Sequence, residues 1–587
     1  MVKWLEPRQL ARTGFETVIS TIFGKHADRR LLQPAISALP AKFYYDLAEN
    51  VEKDKDYWID YIADVGDGFD STYAMAYYLT RPELKFDDSL KLNESGEIAT
   101  NFGNLLIFGG DEVYPTASHS AYQEKLVIPY QKAFPAEISK DSPTVFAIPG
   151  NHDWYDSLVG FSRLFCEKIR FAGWKTLQDR SYFAIKLVRG WWLFGTDMQL
   201  DNSLDKPQVE YFKEVMKQLA PEDSIILCNA VPHWINSKIE ENDEGDIFRA
   251  MGFFEGNVLK HRVAVYVAGD IHHYRRHENA EIKKQKITSG GGGAFLHPTH
   301  NADVKEIGRN RKYELKKSFP EESVSRRLFW QNLYRMGRNW FFGIVTGIVY
   351  LLTAKAFQSD IGNLGLSRIN EAIHKVITDA LLKPSALVWV VLILGGFILF
   401  TDTHSKLYRF VMSPIHALTH LTAVFFIAWG AAYFVSDGRG VDFTSIRQIL
   451  LTALLIFIGG WIIGSIIMGL YLIISISIFG RHGNEAFSAL GISDYKNFIR
   501  LKIDKDGNLT IYPIGIRRVP RNWKDVKTEK DEPRIVPDDL KASLPELIET
   551  PVTIQKLKPN APKNPDIKTV GEDEPVPSAE TERIKAV

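Results

Sequence analysis

The chain has 587 residues, 45% hydrophobic and 24% charged, with Lys+Arg 71 balanced by Asp+Glu 71. That length exceeds the ~250–300 residues at which one hydrophobic core stops growing, so more than one structural unit is expected. The composition excludes a wholly disordered chain and a coiled-coil rod. A balanced charge indicates no nucleic-acid partner. Two cysteines, Cys166 and Cys228, exclude a disulfide scaffold or a Cys-rich zinc module and suit a reducing compartment.

Residues 1–32 lack the unbroken apolar core of a secretory signal, because Glu6, Arg8, Arg12 and Glu16 interrupt them. Residues 1–56 read as an N-terminal extension. Over 57–300 short apolar runs each close on a polar or glycine-rich cluster. "YWIDYIADVGDG" closes on Asp64, "NLLIFGGDEVYP" on Asp111, and "TVFAIPGNHDW" on Asn151, His152 and Asp153. "SIILCNAVPHW" closes on His233 and "RVAVYVAGDIHHY" on Asp270, His272 and His273; "KITSGGGGAF" follows. Continuous β-rich runs with helical stretches between them predict strands buried on both faces of a layered α/β fold. Ligands then bind at the carboxyl ends of the strands. Carboxylate, amide oxygen and imidazole at those ends suit Mn, Fe or Zn. Two ions ~3.5–4 Å apart can share a bridging carboxylate and bind both oxygens of a phosphoryl transfer. A lone buried His is more often core than ligand; the argument rests on five such clusters in succession.

Residues 301–338 read as a basic juxtamembrane linker. Four stretches, 341–356, 386–400, 415–435 and 449–479, approach the ~20 apolar residues that span a bilayer. They make 339–480 a four-helix transmembrane region. Gly460 and Gly464 in the last have the GxxxG spacing of close helix packing. Buried helices of a soluble domain would show a polar face, and 449–479 shows none. Arg326, Arg327, Arg335 and Arg338 precede the first span, Lys406 and Arg409 separate the second from the third, and Arg481 follows the fourth. By the positive-inside rule these ends are cytoplasmic. The expectation is a multi-pass protein of the inner (plasma) membrane, in contact with the lipid bilayer, with its catalytic domain and C-terminus cytoplasmic. His416 and His420 read as interface positions. Residues 481–523 read as a small folded segment with a hairpin turning at Asp506, Gly507 and Asn508. Residues 524–587 lack the apolar content for a core and are expected to be disordered.

The order of the clusters over 57–300 resembles the calcineurin-like metallophosphoesterase superfamily. Gly150-Asn151-His152-Asp153 is the most specific match, flanked in order by Gly110-Asp111 and His233. Two motifs depart from the superfamily pattern. The first, usually Asp-x-His, reads Asp64-Val65-Gly66; the last, usually Gly-His-x-His, reads Gly269-Asp270-Ile271-His272. Asp-x-Gly followed by Gly110-Asp111-Glu112-Val113-Tyr114 is similar to the purple acid phosphatase branch, where the tyrosine supplies the missing donor. Tyr114 either does so here or only packs beside Pro115. The whole layout looks like the multi-pass, membrane-anchored bacterial members.

The resemblance implies a four-layer α/β/β/α sandwich, followed by the transmembrane helices and a small C-terminal hairpin piece. It implies two divalent or mixed-valence metal ions (Mn, Fe or Zn). Asp111 would bridge them, with Asp64, Tyr114 and His272 on one and Asn151, His233 and Asp270 on the other. His152 would face the phosphate, its imidazole oriented by Asp153. The implied reaction is hydrolysis of a phosphate mono- or diester by a metal-bound hydroxide. The basic linker, drawn to anionic lipid, points to a membrane-proximal substrate, with soluble nucleotides or phosphoproteins as the alternative. The two altered motifs leave a second reading, a degenerate sensor or assembly module coupled to the helices. His273 and His277 read as surface residues or substrate contacts, His297 and His300 as cleft residues or residues without a site role, and Asp67 as a turn or as a substitute or support for Asp64.

Overall fold

The structure is a computed structural model. It describes residues 43–49, 51–87, 96–134, 142–198, 204–239, 246–300, 304–308, 311–333, 339–357, 368–401, 405–442, 445–525, 535–539 and 543–556, together with 1–2, 6, 9 and 12–16.

The elements that place the site begin with β1 (Tyr57–Ile62), α1 (Phe69–Leu79), β2 (Leu105–Phe108) and β3 (Thr144–Ala147). Next come β4 (Phe183–Lys186), β5 (Trp191–Gly195), β6 (Ser224–Asn229), β7 (Val263–Ala268), β8 (Tyr274–Glu278), β9 (Gln285–Ser289) and β10 (Tyr313–Phe319). Helices α2 (Trp340–Phe357), α3 (Ile369–Leu382), α4 (Pro384–Phe400), α5 (Lys406–Ser436), α6 (Ile446–Phe479) and α7 (Gly483–Leu490) follow. The chain then returns as β11 (Lys496–Ile503) and β12 (Leu509–Ile516).

Two mixed sheets form. One runs β4-β5-β6-β7-β9-β8-β10 between the short edge strands Tyr45–Asp46 and Glu306–Ile307. The other runs β12-β11-β1-β2-β3, with Trp174–Thr176 beyond β3. β1, β2 and β3 are parallel, with Ile59 opposite Leu105 and Leu105 opposite Thr144. Every residue of β1, β2 and β6 is buried, which is why these strands read as unbroken apolar runs. Alternation still sorts their side chains. Ile59 and Tyr61 join a core shared with Phe183, Leu193 and Val265 of the other sheet, whereas Trp58 and Ile62 join Tyr73 and Met75 of α1.

Three sequence boundaries move. Tyr45–Asp46, in the expected extension, pairs in parallel with β4. β10, in the expected linker, pairs with β8. The expected C-terminal piece is not separate: β11 lies antiparallel beside β1, with Arg500 opposite Asp60. An open edge of β1 would leave backbone N–H and C=O groups unpaired in a buried sheet, and β11 satisfies them. The expected disorder from 524 also fails over the described tail. Glu546–Leu547 and Val552–Ile554 pair with β12, and Ile535–Pro537 pairs with Trp523–Asp525. Glu549 closes on Arg276 at 2.7 Å. These segments are too short for a core of their own, but they bury their few apolar residues on an existing one. Residues 557–587 lie outside the described residues.

Among the described residues, α2, α5 and α6 are long and apolar enough to cross a membrane; α3 and α4, bent by 89° at their junction, make a fourth candidate if taken as one span. Gly460 packs on Tyr350 of α2, where an added Cβ would come 2.6 Å from that side chain. His416 and His420 are buried inside the bundle, His420 bonded to the Tyr350 hydroxyl at 2.8 Å and His416 stacked on Tyr471. The end of α6 and α7 then pack on the sheets: Leu472, Ile473, Ile476 and Phe487 share one cluster with Phe295 and Leu296.

Candidate metal-binding and catalytic site

The loops after β1, β2 and β7 carry Asp64, Asp111 and Asp270. All three have left-handed backbones, with φ of 58°, 56° and 65°. Such conformations cost non-glycine residues roughly 1–3 kcal/mol and persist where the surroundings impose them. Here the backbone does so: Asp64 N–H donates to Gly110 O and Val65 N–H to Asp111 O, both at 3.0 Å. Asp270 N–H donates to the Asp64 carboxylate at 3.0 Å. Three strand ends are thereby locked together.

The side chains converge on the Tyr114 hydroxyl. It lies 2.9 Å from Asp64 Oδ1, 3.0 Å from Asp111 Oδ2 and 3.0 Å from His272 Nε2. His272 donates Nδ1–H to the Phe295 carbonyl at 2.7 Å, which leaves the Nε2 lone pair facing the cluster. One phenolic proton therefore faces three acceptors. Burial, then the charges of Asp111 and Asp270, push the Asp64 carboxyl well above its usual range. Burial likewise raises Asp111, although the His152 charge opposes it. Asp270 is pushed up to about 7 by burial and by Asp111. His272 is held neutral by burial and by His297, which stacks on it at 3.9 Å. A buried set of carboxylates, phenol and neutral imidazole with surplus lone pairs fits a hard or intermediate cation in chemistry. Among the described residues, no three His, Cys, Asp or Glu side chains form an ion-holding group by themselves.

In the second expected set, Asn151 and His233 each contact other groups. His233 is turned toward Glu255, with Nε2 3.3 Å from that carboxylate and Nδ1 3.3 Å from the Asn229 amide. Both ring nitrogens thus have partners that are not members of the cluster. Glu255 is offered by the turn Phe254–Val258, for which the sequence carried no motif. The Asn151 amide reaches the Tyr155 hydroxyl at 3.4 Å.

Asp153 also differs from its expected role. His152 Nδ1 is 2.6 Å from the Pro115 carbonyl, which orients the ring. The Asp153 carboxylate instead accepts from the N–H groups of Asp111, Glu112 and Gly150 and from the Tyr122 hydroxyl at 2.5 Å. It ties the Gly110 and Gly150 loops together. His152 N–H in turn donates to Asp111 Oδ1 at 2.9 Å. Gly150 is required by close approach: an added Cβ would come 2.0 Å from Asp111 Oδ1. Gly150→Ala is therefore expected to displace Asp111 and to destabilise the chain by about 1–3 kcal/mol, read as a lowered unfolding midpoint.

His273 and His277 are fully buried rather than on the surface. His277 Nε2 bonds the Val304 carbonyl at 2.8 Å, so it holds a loop. Asp67 is more than a turn residue: its carboxylate accepts Val2 N–H at 2.6 Å and Phe295 N–H at 3.1 Å. His300 is bonded to Ser325 at 2.8 Å. Glu112, unremarked in the sequence, is wholly buried, and burial with Asp153 pushes its carboxyl well up.

Residues 57–274 match the family model of calcineurin-like phosphoesterases. Two solved structures are similar over part of their length. One is described as GAP50, the anchor in the inner membrane complex of Plasmodium; it is 13% identical, with a TM-score of 0.30 over 41% of this chain and 74% of that one. The other is the purple acid phosphatase PPD1 from yellow lupin seeds, 12% identical, with a TM-score of 0.30 over 45% of this chain and 48% of that one. No curated protein matches the chain. The matched region ends in sequence before β9, β10, β11 and β12, yet its two sheets are completed by those strands.

Glu255 gives the domain a pH signature. Burial alone would raise its carboxyl, but His233, Lys286 and Tyr266 outweigh it and hold it down to about 2. A depressed carboxyl stabilises the fold above its unfolded value and loses that contribution as the pH falls. Glu255→Gln should therefore flatten the fall in unfolding free energy between about pH 4.5 and 2 by ~2–3 kcal/mol.

Proposed function

We propose that the domain is a membrane-anchored, cation-dependent phosphoesterase of α/β/β/α layering that hydrolyses a phosphate mono- or diester at the face of the helix bundle. The observation that carries this reading is the convergence of Asp64, Asp111 and His272 on Tyr114 at 2.9–3.0 Å, three acceptors facing a single phenolic proton. Asp64, Asp111, Tyr114 and His272 would hold the cation, with Asp270 beside them. A bound divalent or trivalent ion would offset phosphoryl charge and lower the pKa of a water.

The chain's own groups supply the rest. His152, flanking Tyr114 with ring centroids 4.3 Å apart, is fixed through Nδ1 by Pro115. Nε2 is thus the nitrogen that exchanges a proton with the leaving oxygen. Asp153 holds the two loops that carry Asp111 and His152 in register. The membrane-proximal substrate rests on packing: Phe295, whose carbonyl fixes His272, lies in one apolar cluster with Leu472 and Ile476 of α6. Cytoplasmic placement of the domain follows from the Lys and Arg distribution.

His152→Ala tests the reading. With p-nitrophenyl phosphate and Mn²⁺, turnover should fall by about 10²–10⁴-fold while bound Mn²⁺, measured by elemental analysis, is kept. Equal turnover in the variant would remove His152 from the chemistry.

A further inference from the structure

At the end of the bundle remote from the candidate site, a cavity of about 680 Å³ opens between α3 and the spans. Its place follows from the helix directions. The ends of α4, α5 and α6 near the sheets carry Phe400, Tyr408 and Phe479, whereas the cavity is lined by Phe357 at the end of α2, Thr452 early in α6 and Ser436 at the end of α5. One face of α5 runs its length, with Leu418, Thr422, Phe425, Trp429, Ala432 and Ser436 at three- and four-residue spacing. From α3 come Ile373, Val376, Ile377 and Ala380. The bend of 89° lays α3 across α4, as an amphipathic helix lies in a membrane interface when its neighbour crosses.

The wall is mostly apolar, and two buried donors on it lack a partner. Trp429 is only 8% exposed, and its Nε1–H has no hydrogen-bond partner; the Ser436 hydroxyl is likewise buried and unpartnered. A buried indole N–H normally finds an acceptor. Neither the surrounding side chains nor hydrocarbon provides one. Trp429 and Ser436 are seven residues apart, about 10 Å along one helix face. The carboxylate of Asp437 stands at the Ser436 end of the wall.

We propose that this cavity binds one phospholipid with an amine-bearing head group. An acyl chain fills the apolar body, which lies within the ~300–1,000 Å³ of ligand pockets. An ester carbonyl accepts from Trp429, a phosphate oxygen accepts from Ser436, and the ammonium lies by Asp437. An anionic head without an amine would meet the Asp437 charge uncompensated. The inference concerns a site separate from the phosphoesterase centre and rests only on the membrane-anchored part of the proposed function.

The test uses the full chain in nanodiscs of phosphatidylethanolamine or of phosphatidylglycerol, released and weighed by native mass spectrometry. The expected result is one phosphatidylethanolamine retained per chain, and several-fold less phosphatidylglycerol. Ala432→Trp, which fills the cavity, should abolish retention. Trp429→Phe, which keeps the apolar wall and removes one donor, should cut it about fivefold. The proposal is overturned if the native chain retains no lipid, if both lipids are held equally, or if Trp429→Phe retains as much as the native chain. The last criterion holds even if Ala432→Trp fails to fold.

Discussion

If the proposed function holds, Asp111→Asn is expected to abolish cation binding at the proposed site and to lower ester hydrolysis by roughly 10²–10³-fold, the size of losing one principal electrostatic contact at a reacting centre. The substitution keeps shape and removes charge. Asp111 is 3% exposed, and its two oxygens face different groups, Oδ1 the His152 N–H and Oδ2 the Tyr114 hydroxyl. An amide in its place offers one acceptor and two donors, so one of these contacts is lost and the negative charge goes with it. Removing one of several repelling buried carboxylates also relieves the cost that raises Asp64. Asp111→Asn should therefore be at least as stable as the native chain while it is inactive. Mn²⁺ titration by calorimetry beside thermal unfolding separates the two effects. A variant that keeps both Mn²⁺ affinity and turnover would leave the proposed site without its chemical basis.

Arg500→Met should destabilise the chain by about 3–5 kcal/mol, the cost of leaving one member of a buried ion pair alone. Arg500 is fully buried on β11 and Asp60 is 1% exposed on β1. The guanidinium bonds Asp60 Oδ1 at 3.0 Å, the Thr100 carbonyl at 3.1 Å and the Leu79 carbonyl at 2.8 Å. Burial pushes Asp60 up to about 6 even with that cation beside it. Adding Asp60→Asn to Arg500→Met should recover part of the loss, because the uncompensated charge is then gone. Thermal unfolding of the detergent-solubilised full chain reads both variants. A loss below about 1 kcal/mol, the worth of an exposed pair, would mean that β11 is not an integral part of the sheet.

This second result bears on why part of the fold was hidden. The hairpin at 496–516 has a local signal, two apolar runs around a turn with Gly507 at φ +86°. Nothing local says that it docks some 440 residues away against β1. That partner was chosen by the open edge of β1 and by the match of Arg500 to Asp60 and Thr100. The tail strands near 546–554 were hidden for a related reason. Composition measures whether a segment can build a core, and these segments only borrow one.

The site divides in the same way. Asp64, Asp111, Tyr114 and His272 were legible because strand-end motifs fix both the residue type and the direction in which the chain delivers it. The left-handed backbones of Asp64, Asp111 and Asp270 are local properties of short turns that close β1, β2 and β7. Tyr114, left open between ligand and packing, sits at the centre of the cluster because Tyr114 N–H bonds the Gly66 carbonyl at 3.2 Å. His233 and Asp153 were legible as residues but not as roles. Their roles depend on which neighbour reaches them first, and Glu255 and Tyr122 come from segments with no motif.

Hydrophobic periodicity and strand-end chemistry thus sufficed for the α/β class, the apolar helices and the carboxylate set, since each is written within about ten residues of chain. Which histidine faces a carboxylate, where β11 pairs and what fills the bundle were settled by contacts between distant segments. Those contacts follow from unpaired edges, buried charges and volume, quantities that exist only once the segments meet.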